Sequence, residues 1–185
     1  MSFKSKFSVI NVCLISLAVL ISAPAMAKKP SERTTVVDLA VAANGPDGPY
    51  EGVFDTLIDL VSNDEVVLSK LSGNGQFTVF APTDDAFGDL MIALGANCIV
   101  PTNDDIRSIL LYHVARGNRD AEDVIGSDQI RTLNGAFLDQ SGGMLMDVAG
   151  QTAGFVATDL FADNGVIHAI DTVVLPFQVR NMCTS

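Results

Sequence analysis

The sequence predicts a domain of the α+β class, and two observations support this class. In the first half of the chain, apolar residues recur at helical spacing. In the second half, short apolar runs alternate with turn signals, and Asn134 followed by Gly135 between two such runs is typical of a β-hairpin. Helices followed by antiparallel hairpins indicate an α+β domain rather than a regular alternation of strands and helices.

Helices are predicted mainly before residue 115. They cover residues 36–43, 53–61, 64–71 and 84–94, a segment that begins after Thr102, and one turn over 120–124. Thr102 and Asp105 have the spacing of a capping box at the start of their helix. The residues predicted to line the buried face of this helix are Ile106, Ile109, Leu110, His113 and Val114.

Strands are predicted at residues 77–81, 129–133, 136–139, 144–148, 155–160 and 166–175. Pro82 ends the first strand, and Pro176 ends the last. Thr83 is the predicted N-cap of the helix that follows the first strand. Asp84 stands in the first turn of that helix, where a carboxylate offsets the helix dipole.

The first 27 residues have the pattern of a secretory signal peptide. Lys4 and Lys6 precede an apolar stretch over 7–21, and Ala27 ends a small-residue cleavage site. The apolar stretch is short for a membrane span. We therefore expect cleavage after Ala27, a loose segment over 28–34, one domain over 35–176 and a C-terminal tail over 177–185. The protein is then secreted or periplasmic and is not embedded in a membrane.

The chain is strongly acidic, with a formal net charge of −11. Removal of residues 1–27, which hold two lysines and no acidic residue, leaves nine basic against 22 acidic side chains. Such a surface repels nucleic acid and anionic lipid, so a nucleic-acid partner is not expected. A well-solvated surface is the simplest meaning of this charge, and basic partners are compatible with it.

Two cysteines, Cys98 and Cys183, remain after the loss of Cys13 with the signal peptide. An even number of cysteines in an exported chain indicates a disulfide. A bond between them would close a loop of 85 residues, which the chain-entropy model values at about 4–5 kcal/mol. Two free thiols are the alternative. A metal site is not expected, because neither cysteine has another cysteine near it in the sequence.

Three segments resemble the signature blocks of the fasciclin domain family. They are FTVFAPTDDAF at 77–87, LLYHV at 110–114 and NGVIHAIDTVVLP at 164–176, and residues 131–135 fit the usual segment between the last two. The resemblance covers roughly residues 35–176. It implies a wedge of antiparallel strands packed with several helices. It also implies adhesion or binding to a cell-surface or matrix protein or polysaccharide, with no enzymatic activity and no cofactor.

The resemblance also implies candidate binding residues. In animal relatives, the Tyr-His segment and an Asp-Ile pair before the last block are linked to integrin binding. The matching positions are Tyr112, His113, Asp159 and Leu160, and Leu160 departs from the isoleucine of the family pattern. Tyr112 lies off the apolar helical stripe and is predicted to be a surface residue. His113 lies on the stripe and is predicted to be buried and hydrogen-bonded.

An enzyme is the alternative function. It would use His168 and Asp171, or other acidic side chains, on a small molecule, and it requires a concave site where at least two titratable groups converge. Strand alternation instead predicts a buried His168, with Asp171 on the opposite face. With two histidines and no zinc-ligand spacing, no metal site is expected. The residues with a predicted structural role in the signature blocks are Thr83, Asp84, His113, His168 and Asp171.

Overall fold

The computed structural model describes residues 33–97 and 99–178, and these contain six helices and eight strands. The helices are α1 (Val36–Asn44), α2 (Asp55–Asn63), α3 (Glu65–Leu71), α4 (Asp84–Ala96), α5 (Asn103–Tyr112) and α6 (Ala121–Ile125). The strands are β1 (Phe77–Pro82), β2 (Val114–Arg116), β3 (Gln129–Arg131), β4 (Phe137–Ser141), β5 (Met144–Met146), β6 (Thr152–Ala153), β7 (Phe155–Ala162) and β8 (Gly165–Ile170). The predicted signal peptide, both predicted disulfide cysteines and most of the predicted tail lie outside the described residues.

The strands form two four-stranded sheets, with the orders β2-β1-β8-β7 and β3-β4-β5-β6. Strand pairs are antiparallel except for β1 and β8, which run parallel, with Phe77 opposite Gly165 and Pro82 opposite Ile170. Mainly antiparallel sheets with helices concentrated in the first half confirm the predicted α+β class. The parallel pair joins two strands that are distant in the sequence, so no local pattern indicates it.

Strands β1 and β8 are buried on both faces and separate two hydrophobic cores. On one face, Val79 and Ile167 belong to a core that α1, α2, α3 and α5 cover, which we call the helical core. On the other face, Phe80 and Ile170 pack with Leu138 and other residues of the second sheet in what we call the sheet core. The domain therefore has three layers, with the first sheet in the middle.

A buried asparagine in the turn before β8 holds the ends of two helices. Asn164 is fully buried. Its Oδ1 accepts a hydrogen bond from the backbone nitrogen of Val36 at 2.7 Å, and its Nδ2 donates to the carbonyl oxygens of Leu71 at 2.6 Å and Gly73 at 3.2 Å. Val36 begins α1 and Leu71 ends α3, so one side chain satisfies backbone groups that the helices themselves leave unpaired.

The next residue, Gly165, lets β8 approach β1 closely. A Cβ atom at this position would overlap the carbonyl oxygen of Phe77. Glycine is therefore required for the backbone contact that begins the parallel pair.

The helix starts predicted at Thr83 and Thr102 are present in the structure. Thr83 caps α4 by accepting a hydrogen bond from the backbone nitrogen of Ala86 at 3.4 Å. Thr102 and Asp105 form the predicted capping box of α5, in which each side chain bonds the backbone of the other. These caps depend only on neighbouring residues, which is why the sequence indicates them correctly.

Asp84 acts on a different helix from the one that contains it. Its carboxylate accepts hydrogen bonds from the backbone nitrogens of Asp55 at 3.1 Å and Thr56 at 2.8 Å, in the first turn of α2. The N-cap residue of α2 is Phe54, which provides no side-chain hydrogen bond of its own. Asp84 therefore supplies the cap that α2 lacks and joins α2 to α4.

The last strand ends earlier than predicted, at Ile170 rather than at residue 175. The apolar pattern continues because Val174 and Leu175 are buried. Their backbone nitrogens donate hydrogen bonds to side chains instead of to a strand: Val174 to Nε2 of His113 at 3.1 Å, and Leu175 to Oδ2 of Asp147 at 2.8 Å. In this segment, side-chain acceptors replace the backbone carbonyl groups that would accept these hydrogen bonds in a β-strand.

His113 ends α5 and fixes the segment after β8. The prediction that α5 continues through residue 114 is wrong, because Val114 already belongs to β2. His113 is buried, as the helical stripe predicts. Its Nδ1 donates to the carbonyl oxygen of Ile109 at 2.8 Å, while Nε2 accepts from Val174. These two bonds require a neutral ring with its proton on Nδ1, and burial lowers the pKa of His113 to about 4.

We expect Asn164→Ala to lower the free energy of unfolding by about 3 kcal/mol, because the buried groups of Val36 and Leu71 lose their partner. Urea unfolding followed by circular dichroism measures this loss. Asn103→Ala, at an exposed position of α5, is the matched control and should change the stability by less than about 0.5 kcal/mol. Equal stabilities of the two variants would contradict the role given to Asn164.

We expect His113 to make the protein less stable as the pH falls from about 6.5 to about 4. The ordinary pKa of 6.5 is lowered to about 4 in the folded state, so in this window the unfolded state binds a proton that the folded state does not. The stabilisation that comes from keeping His113 neutral is fully present above pH 6.5. About 3 kcal/mol of it is lost when the pH falls to about 4.

Urea unfolding at a series of pH values measures this dependence. His113→Gln removes the titrating group, so the variant should be less stable than wild type at neutral pH and should show a shallower pH dependence between 6.5 and 4. His113→Ala should likewise lower the melting temperature. A His113→Gln variant that retains the wild-type slope would show that other groups produce it.

Candidate functional site

Tyr112 is not a surface residue, and that prediction is wrong. Its side chain is fully buried in the sheet core beside Phe80 and Leu138. Its hydroxyl donates a hydrogen bond to the carbonyl oxygen of Phe137 at 2.7 Å, and burial raises the pKa of Tyr112 to about 12. The reason is that α5 contacts both cores: Leu110 and its neighbours reach the helical core, whereas Tyr112 reaches the sheet core. The apolar stripe that the sequence shows along α5 indicates only its contact with the helical core.

The pair Asp159 and Leu160 is engaged within the domain. Asp159 has a φ of 63°, and the register of β7 against β8 shifts between Ala157 and Leu160. Oδ1 of Asp159 accepts a hydrogen bond from the backbone nitrogen of Ala121, at the start of α6, at 2.8 Å. Leu160 is partly buried against the helical core. Asp159 therefore forms a bulge in β7 and attaches α6 to it.

His168 is fully enclosed and holds the same bulge from inside. Its Nδ1 accepts a hydrogen bond from the backbone nitrogen of Asp159 at 3.3 Å, and its Nε2 donates to the carbonyl oxygen of Arg119 at 2.9 Å. The ring also contacts Phe80 and Phe155, with centroid distances of 5.9 and 6.0 Å. Both ring nitrogens are occupied, so His168 has the buried, hydrogen-bonded environment that strand alternation predicts.

Asp171 does not share a site with His168. Its Oδ1 accepts hydrogen bonds from the backbone nitrogen of Gly154 at 2.8 Å and from the Thr172 hydroxyl at 3.0 Å. Its side chain lines a groove that His168 does not line. The pair that the enzyme alternative requires is therefore not brought together.

This groove is half-open, with a volume of about 610 Å³, and lies between α4 and the residues that follow β8. Asp89 and Asp171 contribute carboxylates to it, while Leu90, Ala93 and Leu175 form apolar parts of its wall. Among the described residues, no histidine or cysteine lines it. The groove therefore offers negative charge and apolar surface to a ligand.

The described residues hold no candidate metal centre. Across 33–97 and 99–178, no group of three or more His, Cys, Asp or Glu side chains has an arrangement that could hold a metal ion. Within the same ranges, no helix has the length and apolar character that crossing a membrane requires.

A second candidate surface is the outer edge of β7, which sequence reasoning did not identify. Among the strands that the structure describes, β7 pairs with β8 alone and stands at the end of the strand order. Val156 is 57% exposed and Phe161 is 59% exposed. The strand contains no lysine or proline, the residues that commonly protect an edge strand, and its one charged residue, Asp159, bonds to α6. The bulge at Asp159 interrupts this edge.

The comparisons with known proteins agree with this architecture. The model of the fasciclin domain matches residues 52–176. Protein sll1483 of Synechocystis is 38% identical over 127 residues, which are 66% of this chain and 67% of the relative. Cell surface glycolipoprotein MPB83 of Mycobacterium bovis is 30% identical over 153 residues, 81% of this chain and 68% of the relative.

A solved structure shows the same fold at lower identity. The FAS1 domain pair from the insect cell adhesion molecule fasciclin I superposes with a TM-score of 0.53 and 20% identity, over 66% of this chain and 45% of the insect chain. This chain thus spans less than half of that structure. The family match covers most of the described residues, and two of the three signature blocks contain the central strands β1 and β8, so the chain belongs to the fasciclin domain family.

Proposed function

We propose that this protein is an exported interaction module that binds a protein of the cell surface or extracellular matrix through the edge of β7. Membership of the fasciclin family supports the general role, because its relatives include a cell surface glycolipoprotein and its structural neighbours a cell adhesion molecule. The observation that carries the specific proposal is the unprotected outer edge of an eight-residue strand.

The edge of β7 is complementary to an extended polypeptide. A partner strand can pair its backbone N–H and C=O groups with those of an edge strand, as in binding by strand addition. A polysaccharide has no such ladder of alternating donors and acceptors. Val156 and Phe161 then add apolar contact, and burial of such a side chain contributes about 1.5–3 kcal/mol.

Charge and strand geometry set further requirements for the partner. The exported chain, with nine basic against 22 acidic side chains, favours a partner surface with basic side chains, and the opposite charges increase the rate of encounter. The bulge at Asp159 divides the edge, with Val156 before it and Phe161 after it, so a partner strand pairs its backbone with β7 on either side of the bulge but not through it. The groove and the buried His168 provide no comparable support for the enzyme alternative.

Simultaneous replacement of Val156 and Phe161 by lysine should reduce binding at least about tenfold, because the contact area is lost and an edge protected by lysine resists strand addition. The measurement is retention of proteins from the envelope and matrix fraction of the native host on immobilised protein. Met91→Lys with Ile92→Lys is the matched control, since these α4 side chains are equally apolar and are 62% and 71% exposed. The control variant should bind as wild type does.

A photo-crosslinking residue at position 161 identifies what lies against β7. The expected product is a covalent adduct with a polypeptide, and it should not form from position 92. Protease treatment of the fraction should abolish binding. Loss of binding only after periodate oxidation of glycans would instead indicate a polysaccharide ligand, and equal loss in the α4 control would exclude the β7 edge as the binding surface.

A further inference from the structure

Four asparagines in the sequence are directly followed by glycine: Asn44, Asn74, Asn134 and Asn164. In such a pair, the backbone nitrogen of the glycine can attack the Cγ atom of the asparagine side chain, because glycine has no Cβ atom that obstructs the approach. The attack requires a side chain that can turn toward the backbone, a glycine N–H without another partner, and water. The tertiary structure therefore decides which of the four pairs can react.

Asn164 and Asn44 are each held at both ends of the side-chain amide. Asn164 is fully buried, and its bonds to the ends of α1 and α3 occupy Oδ1 and Nδ2. Oδ1 of Asn44 accepts hydrogen bonds from the backbone nitrogens of Val53 at 2.8 Å and Phe54 at 2.7 Å. Its Nδ2 donates to Oδ1 of Asp55 at 2.7 Å. These bonds must break before glycine can attack, so the fold protects both pairs.

Asn134 is also held, and so is the glycine that follows it. Nδ2 of Asn134 donates hydrogen bonds to the hydroxyl oxygen of Ser108 at 2.8 Å and to its carbonyl oxygen at 3.2 Å. The backbone nitrogen of Gly135 donates to the carbonyl oxygen of Thr132 at 3.1 Å, within the hairpin turn. Both the attacked group and the attacking nitrogen are therefore engaged in this pair.

Asn74 and Gly75 differ from the other three pairs. They lie in the loop between α3 and β1, and both residues are exposed. Among the described residues, neither Nδ2 of Asn74 nor the backbone nitrogen of Gly75 has a hydrogen-bond partner. The attacking nitrogen and the amide that it attacks are thus both free to react and accessible to water.

The hydrogen bond that Asn74 accepts favours the attack. Nη1 of Arg33 donates to Oδ1 of Asn74 at 2.8 Å. A positive charge on this oxygen draws electron density from Cγ and stabilises the negative charge that develops on Oδ1 during the attack. In the other three pairs, Oδ1 accepts hydrogen bonds from uncharged backbone nitrogens.

We propose that Asn74 is a deamidation site in the folded protein and that the other three asparagines keep their amides. The backbone nitrogen of Gly75 loses its proton to water and forms a bond to Cγ of Asn74. The bond between Cγ and Nδ2 breaks, and Nδ2 leaves as ammonia, so a five-membered succinimide remains. Water then opens the ring at either of its two carbonyl carbons, which gives aspartate or isoaspartate at position 74. The inference concerns a different surface from β7 and does not depend on the proposed partner.

The two products differ in their effect on the start of β1. Aspartate adds a carboxylate beside Arg33 and leaves the backbone unchanged. Isoaspartate passes the backbone through the side-chain carbon and so lengthens the chain next to Gly75. The ring of Phe77 lies so close to Gly75 that a Cβ atom at this glycine would overlap it. A longer backbone at this point disturbs the contact, so we expect only the isoaspartate product to destabilise the domain.

The first test compares the four pairs within one molecule. Folded protein is incubated at mildly alkaline pH, and mass mapping of its peptides follows the replacement of each amide by a carboxylate. Asn74 should react at least about tenfold faster than each of the other three, because they must first escape their hydrogen bonds. In urea-unfolded protein at the same pH, the four rates should be similar. A folded protein in which Asn44, Asn134 or Asn164 reacts as fast as Asn74 would overturn the proposal.

The second test concerns the contribution of Arg33. Arg33→Gln removes the positive charge beside Oδ1 and should slow the reaction of Asn74 in the folded protein about threefold. Arg131→Gln makes the same charge change at an exposed position of β3 and should leave the rate unchanged. In unfolded protein, both variants should react as wild type does. An equal rate in the two folded variants would overturn the assistance by Arg33.

The third test separates the products. Ion-exchange chromatography isolates the aged protein, and enzymatic methylation of isoaspartate identifies that form. The isoaspartate form should melt about 3 °C below wild type, whereas Asn74→Asp, which has the normal backbone, should melt as wild type does. Equal melting temperatures of the isoaspartate form and Asn74→Asp would overturn the effect on β1.

Discussion

The parallel pairing of β1 with β8 is the interaction on which the rest of the domain depends. Both strands are buried along their whole length, and their alternating side chains belong to two different cores. Every other layer packs against this pair, the helices on one face and the second sheet on the other. The pair also brings two of the family's signature blocks into direct contact, with Phe77 at the start of β1 opposite Gly165 at the start of β8. These blocks are therefore two halves of one structural unit.

The polar residues of the signature blocks complete the backbone hydrogen bonding around this pair. Asn164 satisfies the ends of α1 and α3, Asp84 caps α2, and His113 accepts a bond from a segment that has left the sheet. His168 does the same at the bulge of β7. Buried backbone groups without partners are costly, so these side chains are constrained by the fold itself. That explains why residues resembling a binding motif, Tyr112 among them, are internal here.

Surfaces available for interaction arise where the layers end. Within the described part of the chain, the sheet ends at β7, whose outer edge pairs with no other strand and exposes Val156 and Phe161. The groove forms where the chain leaves β8 and passes α4, beside Asp171. Among the described residues, the groove presents the carboxylates of Asp89 and Asp171, and the β7 edge presents apolar side chains.

The sequence by itself determined features that depend on neighbouring residues. The helix start at Thr83, the capping box at Thr102 and the hairpin at Asn134 follow from contacts within a few residues. The signature blocks also indicated the family. Only the tertiary structure decided which buried environment a residue meets and which strand stands at an edge. Tyr112 is buried because a second layer covers the other side of α5, and β7 is an edge because no other described strand pairs with its outer side. Both facts depend on segments distant in the chain, and a local pattern carries no information about them.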